Sequence, residues 1–151
     1  MQWSKLKSRI KTFICPELND RIDFHLTSYR RSHDGADKVW ISIDRKKIYS
    51  FDHYVFERAE SSAFHAGLSA AEVKESLESD EIYSPKDFGT AMRAYLDLPI
   101  GEALRSPNPI IKAFALIDGR TGRRTIEDMH VADSENPLVR AFYQLRKSSL
   151  K

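Results

Sequence analysis

Residues 21–29 read RIDFHLTSY, and apolar side chains occupy every second position from Ile22 to Leu26. The same two-residue period recurs in KVWISID at 38–44 and in KIYSF at 47–51. Alternation of this kind, rich in β-branched and aromatic residues, is typical of strands. The intervening SHDGAD and DRKK stretches supply turn residues. We therefore predict a three-stranded antiparallel meander with strands at 21–29, 38–44 and 47–52.

Pairing Ile43 with Ile48 across the second turn would give this sheet two unlike faces. The aliphatic face would contain Ile22, Phe24, Leu26, Val39, Ile41, Ile43 and Ile48. The mixed face would contain His25, Tyr29, Trp40, Tyr49, Phe51 and His53. An aliphatic face must be buried, whereas an aromatic and polar face is either covered or used for binding. We expect helices after residue 53 to cover most of it, and its candidate binding residues are Tyr29, Trp40, Tyr49 and Phe51.

Helical patterns flank the predicted sheet. The segment SKLKSRIKTFI at 4–14 continues an apolar stripe that begins at Trp3, with lysines and an arginine around it. Further on, Ser69 and Glu72 have the spacing of a capping box. The pairs Ser84-Pro85, Asn108-Pro109 and Asn136-Pro137 are typical helix starts. The fold class predicted is α+β: an N-terminal helix, a three-stranded antiparallel meander and several short C-terminal helices, in a single domain spanning 1–151.

Composition favours a folded, reduced protein. The 151 residues are 41% hydrophobic and 30% charged, and they carry a formal net charge of +2. Cys15 is the only cysteine, so an intrachain disulfide and a cysteine-rich zinc site are both excluded. No apolar run approaches the roughly 20 residues that span a bilayer. We expect a cytoplasmic protein without a membrane segment, cofactor or metal.

Charge is distributed unevenly along the chain. Residues 1–50 carry 11 Lys/Arg against 6 Asp/Glu, whereas residues 51–100 carry 4 against 10. Residues 101–151 carry 9 against 6. Such asymmetry marks a binding surface or charge matching between parts of one fold. A dedicated nucleic-acid-binding protein usually has a stronger basic bias.

The stretch ALIDGRTGRRTIEDM at 115–129 concentrates Arg120, Arg123 and Arg124 between glycines and threonines. It lacks the strand, glycine spacing and lysine of a phosphate-binding loop. We expect a helix to begin near Thr121. Arginines at the start of a helix lie unfavourably in its dipole, which favours a partner for them. An internal carboxylate is the favoured partner; a protein or small-anion contact and nucleic acid remain alternatives. At least one arginine should pair within the chain and at least one should face solvent.

Catalytic patterns are weak. The five histidines show no metal-ligand spacing. His25 and His53 could meet on the mixed face of the sheet, which leaves an enzyme as a third interpretation. Cys15 has no neighbouring cation in the sequence to activate it and is interpreted as a buried structural thiol. No catalytic or metal-binding residue is predicted.

The chain resembles a group of small bacterial conserved hypothetical proteins. The resemblance lies in WSKLKSRI at the start, RIDFHLTSYRRSHD followed by VWISID, the long stretch PKDFGTAMRAYLDLPIGEALRSPNPIIKAFALIDGRTGRR, and the closing NPLVRAFYQLR. Several relatives carry DRRxGKRRL where this chain has DGRTGRRTI. Gly119 and Thr125 thus stand in place of arginines, which weakens a role based on positive charge there. The resemblance implies no activity, cofactor or partner.

The favoured functional hypothesis is a non-catalytic module that binds another protein. The alternative is nucleic-acid binding through the basic N-terminal helix and the turn from Arg120 to Arg124. The enzyme with His25 and His53 on the sheet is third. Oligomeric state does not follow from the sequence.

Overall fold

The computed structural model describes residues 2–28 and 37–150. An N-terminal helix precedes three strands, and helices follow to the C-terminus. The elements are α1 (Trp3–Phe13), α2 (Pro16–Asn19), β1 (Ile22–Ser28), β2 (Asp37–Ile43), β3 (Lys46–Asp52), α3 (His53–His65), α4 (Ala70–Ser79), α5 (Pro85–Asp97), α6 (Ile100–Leu104), α7 (Pro109–Ile117), α8 (Arg123–Asp128) and α9 (Pro137–Ser149). The predicted α+β class and element order are confirmed.

The strands form an antiparallel sheet in the order β1-β2-β3, as predicted. The predicted pairing of Ile43 with Ile48 is wrong, because Ile43 pairs with Lys46 across a two-residue turn. The register then shifts between Ile41 and Ser42, and Ile41 pairs with Tyr49. Ile48 is therefore the extra residue of a β-bulge. This single residue moves the rest of β3 to the opposite face from the one expected.

The bulge changes which aromatic side chains are buried. Tyr49 and Phe51 lie on the same face as Ile41 and Val39, not beside Trp40 as predicted. Phe51 is completely buried, whereas Ile48 is 36% exposed. Burying two aromatic rings removes more apolar surface from water than burying one isoleucine, which explains the preference for this register. Tyr29, the remaining predicted member of the mixed face, lies outside the described residues.

The core lies between the inner face of the sheet and the helices α5, α7 and α9. Phe88 of α5 contacts Phe24 and Phe51 of the sheet, with ring centroids 6.0 and 5.0 Å apart. Phe114 of α7 continues the aromatic cluster to Phe142 of α9 at 5.4 Å. Leu6 and Ile10 bury one stripe of α1 against the same core, as the sequence predicted.

Capping residues set the helix starts where the sequence predicted them. Ser69 with Glu72, and Ser84 with Asp87, form reciprocal capping boxes. The side chains of Asn108 and Asn136 accept hydrogen bonds from backbone N–H groups at the starts of α7 and α9, so both residues are N-caps. In the described part of the chain, no helix has the length and apolar character needed to cross a membrane.

The turn between β2 and β3 gives a direct test of the register. Asp44 and Arg45 both have positive φ, at 51° and 68°. A two-residue turn of this kind favours glycine at the second position, because a side chain there is strained. We predict that Arg45→Gly raises the free energy of unfolding by about 0.5–1 kcal/mol, since relief of strain exceeds the extra unfolded-state entropy of glycine. Urea unfolding followed by circular dichroism measures the change.

Lys46→Gly provides the matched control for this prediction. Lys46 is also exposed, but it is the first residue of β3 and has no positive φ. Glycine at this position should lower stability by about 0.5–1 kcal/mol. If both substitutions destabilise the protein equally, the turn described here is wrong.

Candidate functional site

The outer face of the sheet presents an aromatic pair. His25 of β1 and Trp40 of β2 are cross-strand partners. Their rings stack with centroids 5.0 Å apart and an interplanar angle of 18°. Both side chains are half-buried, and Trp40 does not belong to the hydrophobic core or pack against it. The predicted mixed face is therefore reduced to this pair and its polar neighbours, while Tyr49 and Phe51 face the core.

The polar neighbours of His25 are Ser42 and Asp23. The Nε2 atom of His25 lies 3.0 Å from Ser42 Oγ and 3.9 Å from Asp23 Oδ2. Ser42 is 5% exposed, and its hydroxyl donates to the backbone carbonyl of Asp23 at 3.4 Å. A catalytic triad needs the carboxylate on the other ring nitrogen, where it orients the imidazole as a base. Here both partners lie at one nitrogen, so the arrangement holds the imidazole in place and does not activate Ser42.

A cavity of about 370 Å³ lies beside this pair. The charged residues of its lining are partly neutralised by ion pairs. Arg21 forms a bidentate salt bridge with Asp44, with both N···O distances at 2.8 Å, and the Lys7 ammonium lies 2.8 Å from an oxygen of Asp23. The cavity is lined by Asp20, Arg21, Asp23, His25, Trp40, Ser42, Arg45 and Lys47. We name this region, with the stacked pair at its centre, the outer-face site.

Two cations of the outer-face site have no carboxylate partner among the described residues. They are Arg45 in the turn and Lys47 of β3, and both are exposed. The Lys47 ammonium lies 6.0 Å from the centroid of the Trp40 ring. Asp20 is the one lining carboxylate without an ion pair in the described part of the chain. Among the described residues, the outer-face site therefore presents the stacked rings of His25 and Trp40 together with more positive than negative charge that is not neutralised by an ion pair.

The arginine-rich turn is built differently. The side chain of Arg120 binds both carboxylate oxygens of Asp118, with its closest contact at 2.7 Å. Its guanidinium also lies 4.2 Å from the centroid of the Phe13 ring. Arg123 pairs with Glu127 at 2.8 Å on the exposed surface of α8. Arg124 is exposed and its side chain has no hydrogen bond or ion pair with any described residue.

The turn therefore meets the expectation of one internally paired and one free arginine. The expected helix start near Thr121 is confirmed to within two residues, because α8 begins at Arg123 with Gly122 as its N-cap. Asp118, the partner of Arg120, is completely buried and also accepts a hydrogen bond from the Tyr95 hydroxyl. Burial, followed by the bond to Asp118, raises the pKa of Tyr95 and keeps the phenol protonated as a donor.

Arg146 of α9 also binds the backbone of the arginine-rich turn. It is 6% exposed and donates to the backbone carbonyls of Leu116, Asp118 and Thr121 at 2.7–3.1 Å. No buried side-chain nitrogen or oxygen in the described residues lacks a hydrogen-bond partner. The turn is thus a joint between α7, α8 and α9, and Arg124 is its one cation without a hydrogen bond or ion pair among the described residues.

The other residues considered for catalysis or metal binding do not lie together in one site. His53 begins α3, where its Nε2 lies 3.4 Å from Glu57 Oε2, and it lines a different cavity from His25. Burial raises the pKa of the Cys15 thiol, consistent with a structural role. Within the described ranges, no group of three or more His, Cys, Asp or Glu residues is placed to hold a metal ion.

Comparison with known proteins gives a family but no activity. A family model matches residues 2–147. The chain belongs to the SF0329 protein family. This is an uncharacterised family, in agreement with the resemblance read from the sequence. No curated protein and no solved structure matches the chain.

Sequence reasoning placed His25 and Trp40 together but missed most of their surroundings in this SF0329 protein. Ser42 lies on the same face as Trp40 through the alternation of β2, whereas Arg45 and Lys47 join the site because of the two-residue turn. Asp118, Tyr95 and Arg146 were also missed. One signal was present: an acidic residue at the C-terminal end of an apolar helix is unfavourable in the helix dipole and needs a cationic partner.

The arginines of the turn should differ in their contribution to stability. Arg120→Ala removes the cation from a completely buried carboxylate, so we predict a loss of about 2–4 kcal/mol in unfolding free energy, with Tyr95 retaining part of the compensation. Arg124→Ala is the matched control and should change stability by less than about 0.5 kcal/mol. Urea unfolding measures both. Equal effects would contradict the assignment of the turn as a joint.

The ion pair between Lys7 and Asp23 predicts a pH dependence. Partial burial acts to raise the pKa of Asp23, but the Lys7 ammonium and the Phe24 N–H outweigh it and the pKa is lowered. A lowered folded-state pKa contributes stability above the unfolded value of about 4, and this contribution is lost as pH falls through the folded value. Lys7→Met should therefore raise the pKa of Asp23 and reduce stability at neutral pH more than at low pH.

Carboxyl carbon NMR titration measures the pKa of Asp23 in this variant. Lys5→Met is the control, because Lys5 is an exposed lysine of the same helix without an ion pair in the described residues. It should leave the titration of Asp23 unchanged. An unchanged titration in Lys7→Met would show that this ion pair does not form in solution.

Proposed function

We propose that the protein is a non-catalytic module that binds an acidic segment of a partner protein through the outer-face site. The observation that carries this proposal is the combination of the half-buried Trp40–His25 stack with Arg45 and Lys47, two cations that have no carboxylate partner among the described residues. Tryptophan and arginine are the residue types that most often dominate the free energy of protein interfaces. Free cations at the rim favour association with a partner of negative charge.

Protein is favoured over nucleic acid by the geometry of the aromatic pair. Single-stranded nucleic acid binds through bases that stack on open aromatic faces. One face of Trp40 is already stacked on His25, and the Lys47 ammonium lies near the same ring. The basic N-terminal helix is also partly neutralised, because Lys7 and Lys11 both lie within 4 Å of the Asp23 carboxylate. These contacts reduce the charge available for phosphates.

A binding role is also favoured over catalysis. The hydroxyl of Ser42 and the carboxylate of Asp23 both lie at the Nε2 nitrogen of His25. This leaves no carboxylate in reach, among the described residues that line the cavity, to orient the imidazole from its other nitrogen. His53, the second histidine of the enzyme interpretation, lines another cavity. The proposed role of the imidazole is to support the Trp40 ring.

The test combines capture of a partner with charge reversal. A partner is isolated from host cell extract treated with nuclease, and its affinity for purified protein is measured by titration calorimetry. The double variant Arg45→Glu, Lys47→Glu should bind at least about tenfold more weakly, because attraction at two positions becomes repulsion. The matched control Arg58→Glu, Lys74→Glu changes the net charge equally at exposed positions of α3 and α4 and should bind like the wild type.

Three results would overturn the proposal. Equal affinity of the two double variants would remove the outer-face site from the interaction. If Arg124→Glu abolishes binding and the outer-face double variant does not, the partner binds the arginine-rich turn. Loss of all capture on nuclease treatment, with salt-sensitive binding of single-stranded RNA by the purified protein, would favour the nucleic-acid interpretation.

A further inference from the structure

A second cavity lies on the inner side of the sheet, opposite the outer-face site. It has a volume of about 420 Å³ and lies between α1, the inner face of the sheet and α5. Its lining is apolar apart from two cations on α5: Trp3, Leu6, Leu26, Val39, Pro85, Lys86, Gly89 and Arg93. The volume of this cavity lies within the range of small-molecule sites. We name it the α1–α5 cavity.

The two cations, Lys86 and Arg93, lie at the border of this cavity. Lys86 and Arg93 are exposed, and neither side chain has a hydrogen bond or ion pair with a described residue. The positions 86, 89 and 93 follow the spacing of one helix face. No described acidic residue lines the α1–α5 cavity. Lys86 also borders a neighbouring cavity that contains Glu57 and Glu60, whereas Arg93 lines the α1–α5 cavity and not that neighbour.

Gly89 supplies an independent observation. It lies inside α5 without a positive φ, although glycine is among the least favourable residues in a helix interior. A Cβ at this position would lie 3.3 Å from a terminal nitrogen of the Arg93 guanidinium, tighter than ordinary contact. Glycine therefore lets Arg93 lie close to the helix at the border of the cavity. A Cβ here would favour the helix and would require the Arg93 guanidinium to shift by a few tenths of an ångström.

We infer that the α1–α5 cavity binds a small carboxylate with an apolar body, such as a medium-chain acyl or aryl acid. The apolar walls formed by Trp3, Leu26 and Val39 would receive the body of the ligand. The planar guanidinium of Arg93 would bind both oxygens of the carboxylate, a geometry for which arginine is suited. Lys86 would add a second positive charge. The site is separate from the proposed partner surface, because Val39 and Trp40 point to opposite faces of β2.

Octanoate is the probe, and octanamide is its neutral counterpart. In ¹⁵N-resolved NMR titrations, octanoate should shift the indole resonance of Trp3 saturably, while the indole of Trp40 remains unchanged. Octanamide should bind at least tenfold more weakly. Equal binding of the two probes would show an apolar groove without selectivity for a carboxylate and would overturn the inference, as would the absence of saturable shifts.

Two variants test the role of Arg93 directly. Arg93→Leu should weaken octanoate at least tenfold and leave octanamide unchanged. Gly89→Ala should raise the melting temperature, since alanine favours the helix, and should still weaken octanoate measurably because the guanidinium must shift to make room for the Cβ. A variant that is more stable but binds octanoate more weakly would show that Gly89 and Arg93 serve binding and not stability.

The chain contains a matched control for both substitutions. Gly101 of α6 and Arg105 have the same i,i+4 spacing away from the cavity, where a Cβ would lie 3.6 Å from the guanidinium. Gly101→Ala and Arg105→Leu should leave octanoate affinity unchanged. If Gly89→Ala or Arg93→Leu binds octanoate like these controls, the carboxylate site is wrong, whereas the proposed partner surface is untouched by that result.

Discussion

Asp118 carries a carboxylate with no exposure to solvent, and three helices meet where that charge is compensated. Tyr95 reaches it from α5, and Arg120 binds it with both its side chain and its backbone N–H. Arg146 of α9 donates to the backbone carbonyl of the same residue. An isolated buried charge is strongly destabilising, so these groups must be in place together. The ends of α5, α7 and α9 are thereby held in one arrangement.

The same residue ties the N-terminal part of the chain to this joint. Asp118 forms an isolated antiparallel bridge with Ile14, and Gly119 donates to the Phe13 carbonyl at 2.7 Å. Arg120 then lies over the Phe13 ring. The concentration of arginines that suggested a binding site is therefore explained mainly by structure, since buried carbonyls and a buried carboxylate require charged donors. Only Arg124 remains available in the described part of the turn.

The sequence correctly predicted the elements that local signals define. It did not predict features that depend on packing between residues distant in the chain. The capping boxes at Ser69 and Ser84 and the two-residue period of β1 are local, and they predicted helix starts and a strand correctly. The register of β3 was wrong because KIYSF alternates equally well in either phase. Burial of Phe51 and the strained turn select the phase, and neither is visible in the pattern. The network around Asp118 joins residues that are distant in sequence, so no spacing rule could reveal it.

The bulge at Ile48 also determines how the two faces of the sheet are used. It places Tyr49 and Phe51 in the core, where Phe51 supports Phe88 of α5. Beyond the bulge, Ser50 pairs with Trp40, where an uninterrupted register would have placed Tyr49 instead. Lys47 lies on the turn side of the bulge and pairs with Ser42, so it lies on the outer face near Trp40 in either register. A sheet whose inner face carries the helices must present its other face to solvent or to a partner. The extra residue thus removes Tyr49 from the outer face, and the same shift places Tyr49 and Phe51 on the face that packs against the helices.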